Sequence, residues 1–334
     1  MYGKIANNKN GDLPKKPKMG LFFMLDHNTD ECIFIVQVYL AQCSQTKSHV
    51  AMKVQEKIRI RSEKDVQFIL HEQQIMKKLD SIHVVKLLAT FHTEKRIYFI
   101  MDFVSEDNFS TFTKKVTLRP EHVEFYMAQL FLGVEYIHSK DISHRDLKKA
   151  NMLLSLKGHV KICDFGLAKP GMGPGTTTRT VCGSLSHMAP EIHERRGYTR
   201  SVDWWAFGVI LIELLTNRNP FITHDTAAFV RTYPFPEMHF PGMPSDAYDL
   251  ASNLLRHDSK RMKPEDIARH EFFSCIDWDG LERGAVEPPF SNKDGLDLTA
   301  KVEIVEEECE SVVLRNGRME PFQNFEYISE SRWK

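Results

Sequence analysis

The chain holds 17 glycines in 334 residues, yet none falls between Gly20 and Gly133. Any segment in that stretch that must run its backbone close to a ligand has to do so with side chains in the way. The six cysteines (Cys32, Cys43, Cys163, Cys182, Cys275 and Cys309) are scattered, with no pair at metal-ligand or redox spacing. That excludes a cysteine-built zinc module or disulfide scaffold and leaves reduced thiols as the expectation. With 44 basic and 45 acidic side chains the formal charge is -1. No global field draws the chain onto nucleic acid or an anionic membrane, and neither partner is expected. No apolar run approaches the length that spans a bilayer, and no basic-then-apolar leader with a cleavage site opens the sequence. Gly3 stands one position too late for myristoylation. The expected location is the cytoplasm, with the nucleus as the alternative.

What is present is the balance of an ordinary globular protein, 42% hydrophobic and 27% charged. The length allows two packed lobes and an extension, because single cores stop growing at about 250 to 300 residues. Residues 1–19, with Asn7, Asn8, Asn10 and the lysines around Pro14 and Pro17, read as a flexible lead-in. The β-rich runs Ile33–Leu40 and His49–Val54 predict a hairpin, Glu63–Leu79 a helix, and Val84–Phe91 with Ile97–Val104 further strands. Residues 20–104 therefore predict a small, mostly antiparallel sheet with one main helix. After Asp107 the period changes. Val123, Met127, Leu130, Val134 and Ile137 trace an amphipathic helix opened by Pro120, and Val202–Thr216 is apolar all round, as a helix at the centre of a larger helical lobe should be. That lobe is expected over 105–275. Residues 276–334 predict an extended tail with Pro288, Pro289, the acidic run Glu306–Glu308 and the aromatics Phe322, Phe325 and Tyr327.

The densest chemical signal is SHRDLKKANMLL at Ser143–Leu154, followed by KICDFGLAK, with Ala189, Pro190 and Glu191 downstream. An isolated Asp and Asn five residues apart more often cap a turn or bind water. Phosphoryl transfer, however, needs an acceptor hydroxyl oriented, a phosphate neutralised and metal ions held by hard oxygens, and this run supplies a residue for each need. Together, and in this order, the motifs resemble the protein kinases over roughly residues 20–275.

The resemblance implies an α+β, bilobal protein kinase fold with a C-terminal tail, using ATP and magnesium. Asp146 would accept the acceptor hydroxyl's hydrogen bond, Lys148 would sit against the transferring phosphate, and Asn151 and Asp164 would hold magnesium ions. Lys53, in the run Ala51, Met52, Lys53, would pair the ATP phosphates and Glu72, which lies 19 residues on. Val38, Ala51, Met101, Asp102, Val104 and Leu153 complete the implied ATP contacts. TRTVCGS at Thr178–Ser184, VDWWAFGV at Val202–Val209 and FFSCIDW at Phe272–Trp278 are similar to the AGC group of serine/threonine kinases, particularly the protein kinase C and cyclic-AMP-dependent branches. EPPF at Glu287–Phe290 and FQNFEY at Phe322–Tyr327 resemble that group's tail. By this likeness Thr180 takes an activating phosphate from an upstream kinase, Arg145 and Lys169 pair with it, and Ser184 bridges Asp146 and Lys148. Phe322 and Phe325 dock behind the Glu72 helix, with Glu326 standing where relatives carry a phosphate.

Several positions depart from the pattern. The family's three loop glycines fall at Glu31, Ile33 and Val36. Losing one or two backbone hydrogen bonds to phosphate, at about 1.5 to 3 kcal/mol each, weakens ATP use by roughly tenfold to a few thousandfold. A histidine that relatives use to link the phosphate to the helix is Phe68. Of three acidic positions that select basic substrates, Asn108 and Ala150 are lost and Glu213 is kept, with Glu106 and Asp107 nearby. SLSH at Ser184–His187 replaces the usual turn beside the acceptor, and the tail's adenine-region contact survives only as Leu296 and Asp297. Two readings stay open: a monomeric serine/threonine kinase acting on protein substrates, or a pseudokinase that binds partners and transfers phosphate slowly or not at all.

Overall fold

A computed structural model describes residues 37–42, 48–105, 107–194, 197–221, 242–290, 322 and 325–329. The chain divides into two units, the first made of 1–79, 85–106 and 300–334, the second of 80–84 and 107–299. The glycine-loop positions Glu31, Ile33 and Val36, and also Glu106, Leu296 and Asp297, lie outside the described residues.

The first unit is a five-stranded sheet in the order β1-β2-β4-β3-β9 with one helix. Its strands are β1 (Gln37–Gln42), β2 (His49–Glu56), β3 (Leu87–His92), β4 (Arg96–Asp102) and β9 (Tyr327–Ile328), and its helix α1 (Glu63–Lys78). All pairings are antiparallel, with Val38 opposite Lys53 and Ala51 between Leu40 and Met101. Val84, placed in a strand by its apolar run, instead makes an isolated bridge to Ile162 in the second unit's own fold. Helix α1 starts at a capping box. The Ser62 hydroxyl accepts from the Asp65 N–H at 3.2 Å, and the Asp65 carboxylate accepts from the N–H groups of Ser62 and Arg61, each at 2.9 Å. Its buried face reads Asp65, Val66, Ile69, Glu72, Gln73, Ile75 and Met76. The helical spacing is complete, but polar side chains fill part of it, and so its apolar periodicity is weak.

The second unit is mainly helical: α2 (Phe109–Lys115), α3 (Pro120–Ser139), α4 (Pro190–His193), α5 (Val202–Thr216), α6 (Ser245–Leu254), α7 (Pro264–Ala268) and α8 (Trp278–Glu282). Two small two-stranded sheets accompany them, β5 (Ile142–Ser143) with β8 (Lys169–Pro170), and the hairpin β6 (Met152–Leu154) with β7 (Val160–Ile162). Pro120 sits in the first turn of α3, where its missing N–H costs nothing. Helix α5 is buried on every side from Val202 to Leu214, which explains its all-round apolar sequence. A buried ion pair ties its surroundings together: Arg261 donates to both Glu191 oxygens at 2.7 and 3.1 Å and lies over the Trp205 ring. The first part of the tail packs here. Phe290 stacks edge-on against Phe112 and His122, and its carbonyl oxygen lies where any Cβ on Gly158 would have to go. With φ at +91°, Gly158 is the only residue type that fits this contact without strain.

His83 is buried in this unit with neither ring nitrogen hydrogen-bonded among the described residues. Burial first, and then the charges of His159 and Lys161, push its imidazolium pKa down to about 4. The unfolded chain takes up this proton from pH 6.5 downward and the folded chain does not until about pH 4. Stability is therefore lost as pH falls through that window, by about 3 kcal/mol at most. Urea unfolding midpoints from pH 7 to pH 4 should fall less steeply in His83→Phe than in the parent; parallel curves would contradict the assignment.

Candidate active site

In the second unit the loop from His144 to Asn151 joins β5 to β6 and carries Asp146, Lys148 and Asn151. One buried carboxylate holds it. Asp203, in the first turn of α5 and 1% exposed, accepts on Oδ2 from His138 Nε2 at 2.8 Å, Ser143 Oγ at 2.9 Å and the His144 N–H at 2.9 Å. On Oδ1 it accepts from the Arg145 N–H at 2.8 Å. Burial alone would raise its pKa, but the His138 hydrogen bond and charge, with those of His144 and the Arg145 backbone, outweigh it and hold the carboxyl below its usual value. The grip has a conformational consequence: Arg145 has φ +64°, a region that costs a side-chain-bearing residue about 1 to 3 kcal/mol unless its surroundings enforce it.

Beyond that turn the side chains close into a network. Asp146 Oδ1 accepts from the Ser184 hydroxyl at 2.7 Å and the Ser184 N–H at 2.8 Å, and Oδ2 accepts from Lys148 Nζ at 2.8 Å. Lys148 also donates to Ser184 Oγ at 2.7 Å, so the hydroxyl bridges the two charges. Asn151 Nδ2 donates to the Asp146 carbonyl at 2.8 Å and to its carboxylate at 3.1 Å. Gly183 makes the approach of Ser184 feasible, since its φ is +110° and a Cβ there would stand 2.5 Å from the Arg145 carbonyl oxygen.

Asp164 lies past the β6–β7 hairpin at φ +62°. The turn after it is anchored by Phe165, fully buried and edge-on to the His144 ring at 5.2 Å. The two loops are also sewn together through the backbone. His144 Nε2 meets the Cys163 carbonyl at 3.0 Å, and the Cys163 N–H donates to the Asn151 carbonyl at 3.0 Å. Leu153 sits in β6 and bridges Asn108.

Arg145 also reaches the segment around Thr180. Its Nε donates to the Leu167 carbonyl at 2.8 Å and a terminal nitrogen to the Tyr198 hydroxyl at 3.3 Å, which in turn donates to the Thr180 carbonyl at 2.5 Å. Burial, ahead of every other influence, keeps the Tyr198 phenol well above its usual pKa, so it stays a donor. Lys169 is half-buried in β8 opposite Ser143, and Thr180 is half-buried.

In the first unit Lys53 and Glu72 form a buried pair at 2.5 Å, 6% and 3% exposed, with Lys53 also over the Phe99 ring. Val38, Ala51, Met101 and Asp102 line up through the β1–β2–β4 register around Lys53, and Val104 is buried just after β4. The C-terminal aromatics pack directly behind this pair. Phe325 lies edge-on to Phe99 at 5.5 Å and to Phe322 at 5.6 Å, and Lys57 covers Phe322. The Phe325 carbonyl accepts from Thr90 Oγ1 at 2.6 Å and from Gln73 Nε2, next to Glu72 in α1, while the Ser329 N–H donates to the Leu88 carbonyl at 2.7 Å. Glu326 is exposed and pairs with no cation among the described residues, so aromatic burial and backbone bonds hold the segment without help from its charge.

Residues that motif reading passed over do much of the positioning: Asp203, His138, Ser143, Tyr198 and Gln73. Asp203 had a usable signal, as a carboxylate in the first turn of a largely apolar helix. Changing Asp203 to Asn turns an N–H₂ toward donors and should cost at least about 3 kcal/mol, given 1.5–3 for each hydrogen bond to a charged group. A urea unfolding midpoint equal to the parent's would contradict this role.

Comparison with known proteins agrees with the motifs. The family model for the protein kinase domain matches residues 35–273. A RAC family serine/threonine-protein kinase homolog of Dictyostelium discoideum is 35% identical over 294 residues, covering 84% of this chain and 66% of that protein. Ribosomal protein S6 kinase alpha-3 of Mus musculus is 36% identical over 255 residues, 73% of this chain and 33% of that protein, and protein kinase C-like 2 of Schizosaccharomyces pombe 36% over 264 residues, 76% and 26%. The chain thus spans between a quarter and two-thirds of the length of these relatives. With the lysine–glutamate pair, the Asp146 network and the Asp164 turn in place, the chain belongs to the protein kinase domain family and, within it, to the AGC group.

Proposed function

We propose that the chain is a serine/threonine protein kinase that transfers the γ-phosphate of ATP to protein hydroxyls. One observation carries the reading: Asp146, Lys148, Asn151 and Ser184 form a single closed hydrogen-bond network, anchored through the backbone to a buried carboxylate. Catalysis of phosphoryl transfer is mostly positioning and charge neutralisation, so preassembly of these groups is what the reaction requires.

Asp146 is the acceptor-orienting base. Its carboxylate, fixed on both oxygens, presents a negative end to an incoming Ser or Thr hydroxyl in place of the Ser184 hydroxyl that it holds here. Lys148 supplies a fixed positive charge beside that oxygen. The donor set suits magnesium: Asn151 directs its amide nitrogen to Asp146, which leaves the amide oxygen as a hard ligand, and the Asp164 carboxylate is a second. Bound there with the substrate phosphates, magnesium would offset their negative charge. Lys53, charged and oriented by Glu72, is the residue to hold the ATP phosphates in the first unit, and Val38, Ala51, Met101, Asp102, Val104 and Leu153 are the proposed nucleotide contacts. Thr180 is the proposed target of an upstream kinase, with Arg145 and Lys169 as partners of its phosphate.

The missing glycines at 31, 33 and 36 support a second reading, a pseudokinase that acts through binding. The two readings part on one experiment. Transfer from radiolabelled Mg-ATP to a panel of Ser- and Thr-containing proteins should be measurable, and Asp146→Asn should lower kcat by about 10²- to 10⁴-fold, the range for loss of a positioned acid or base. No transfer by the parent at millimolar Mg-ATP, or equal transfer by Asp146→Asn, would overturn the kinase reading.

A further inference from the structure

Two carboxylates stand beside the catalytic loop, and the chain's own lysines hold both. Asp107, ahead of α2, is ion-paired with Lys115. Glu213, toward the end of α5, is the more telling case. Its Oε1 accepts from Asn219 Nδ2 at 2.7 Å, and Asn219 also donates to the Ser186 carbonyl at 3.4 Å. Its Oε2 lies 3.5 Å from Lys149 Nζ and 3.5 Å from His187 Nε2. The three side chains are 9%, 17% and 10% exposed, so the cluster is largely closed to water. Burial would raise the Glu213 pKa, but His187, Lys149 and Asn219 outweigh it and keep the carboxyl ionised.

The place of this cluster gives it consequence. Lys149 comes three residues after Asp146, and His187 three after Ser184, the two ends of the acceptor-orienting network. A peptide whose hydroxyl reaches Asp146 must pass these segments. A basic side chain on it would find Glu213 already facing Lys149 and His187 at ion-pair distance, though not hydrogen-bonded to either, and would have to displace one of them to pair with it. Lys149 cancels the Glu213 charge, so the cluster offers a peptide cation no net attraction.

We propose that Lys149 and His187 are specificity-determining residues. By occupying Glu213 they turn acceptor selection away from basic sequences and toward acidic or uncharged ones. The inference rests on the kinase reading for its substrate class, and its test separates the two. Two fluorescent serine peptides, identical except for Glu or Arg at the three positions before the acceptor, are compared with the full chain in both transfer and anisotropy binding.

The parent should favour the Glu peptide. Lys149→Met, which keeps the aliphatic stem, should move the Glu-to-Arg preference toward Arg by about tenfold, equivalent to roughly 1.4 kcal/mol. Lys149→Arg should keep the parent preference, and adding Glu213→Gln to Lys149→Met should erase the gain. His187→Phe should shift the preference in the same direction and serves as the comparison if Lys149→Met fails to melt cooperatively. A parent that prefers the Arg peptide, or a preference unmoved by both variants, overturns the proposal. If no peptide is phosphorylated but anisotropy shows the same preference and reversal, the inference stands and the kinase reading falls. Transfer without discrimination has the opposite meaning.

Discussion

The buried carboxylate of Asp203 is the constraint on which the second unit's chemistry depends. A fully enclosed charge is tolerable only when every lone pair finds a donor, and here the donors are His138 of α3, Ser143 of β5 and the backbone of His144 and Arg145, which open the loop that carries Asp146. Satisfying the charge therefore fixes the loop's path. The left-handed turn at Arg145, unfavourable by itself, becomes the cheapest conformation, and it delivers Asp146 to Ser184 and Lys148 with both oxygens filled. From there the backbone bond between Cys163 and Asn151 carries the same order to the Asp164 turn.

The first unit solves a parallel problem by different means. Lys53 and Glu72 are buried charges that justify their desolvation only as a pair, and the helix bearing Glu72 must be held against the sheet for the pair to persist. Apolar contacts alone do not do this, since α1 presents Asp65, Glu72 and Gln73 on its inner face. The C-terminal segment supplies the missing hold. Phe325 packs on the same Phe99 ring that underlies Lys53, and its carbonyl takes the Gln73 side chain one residue from Glu72. The tail acts as a fifth strand and an aromatic plug, and the exposed Glu326 adds no ion pair among the described residues.

Much of this was legible in the sequence because it is local. The hairpin of β1 and β2, the Pro120 start of α3 and the span of α5 follow from period and composition, and SHRDLKKAN with DFG points to Asp146, Lys148, Asn151 and Asp164 through its resemblance to the protein kinases. What escaped is non-local or polar. The inner face of α1 looked irregular because two of its inward positions hold charges. Val84 read as a strand residue because its neighbours are apolar, yet its single bridge is to Ile162. Glu213 read as a retained acid near the acceptor, and nothing in the sequence shows that Lys149 and His187 already face it, because three segments far apart in the chain bring them together.

We propose a preassembled transfer centre in a chain whose sequence holds no glycine between Gly20 and Gly133. Equilibrium titration of Mg-ATP into the full chain by calorimetry, beside Lys53→Met, tests it most directly. Saturable binding by the parent is expected, weakened at least tenfold in the variant through loss of a charge-assisted contact to phosphate. No binding heat from the parent at millimolar Mg-ATP, or equal affinity in Lys53→Met, would contradict it.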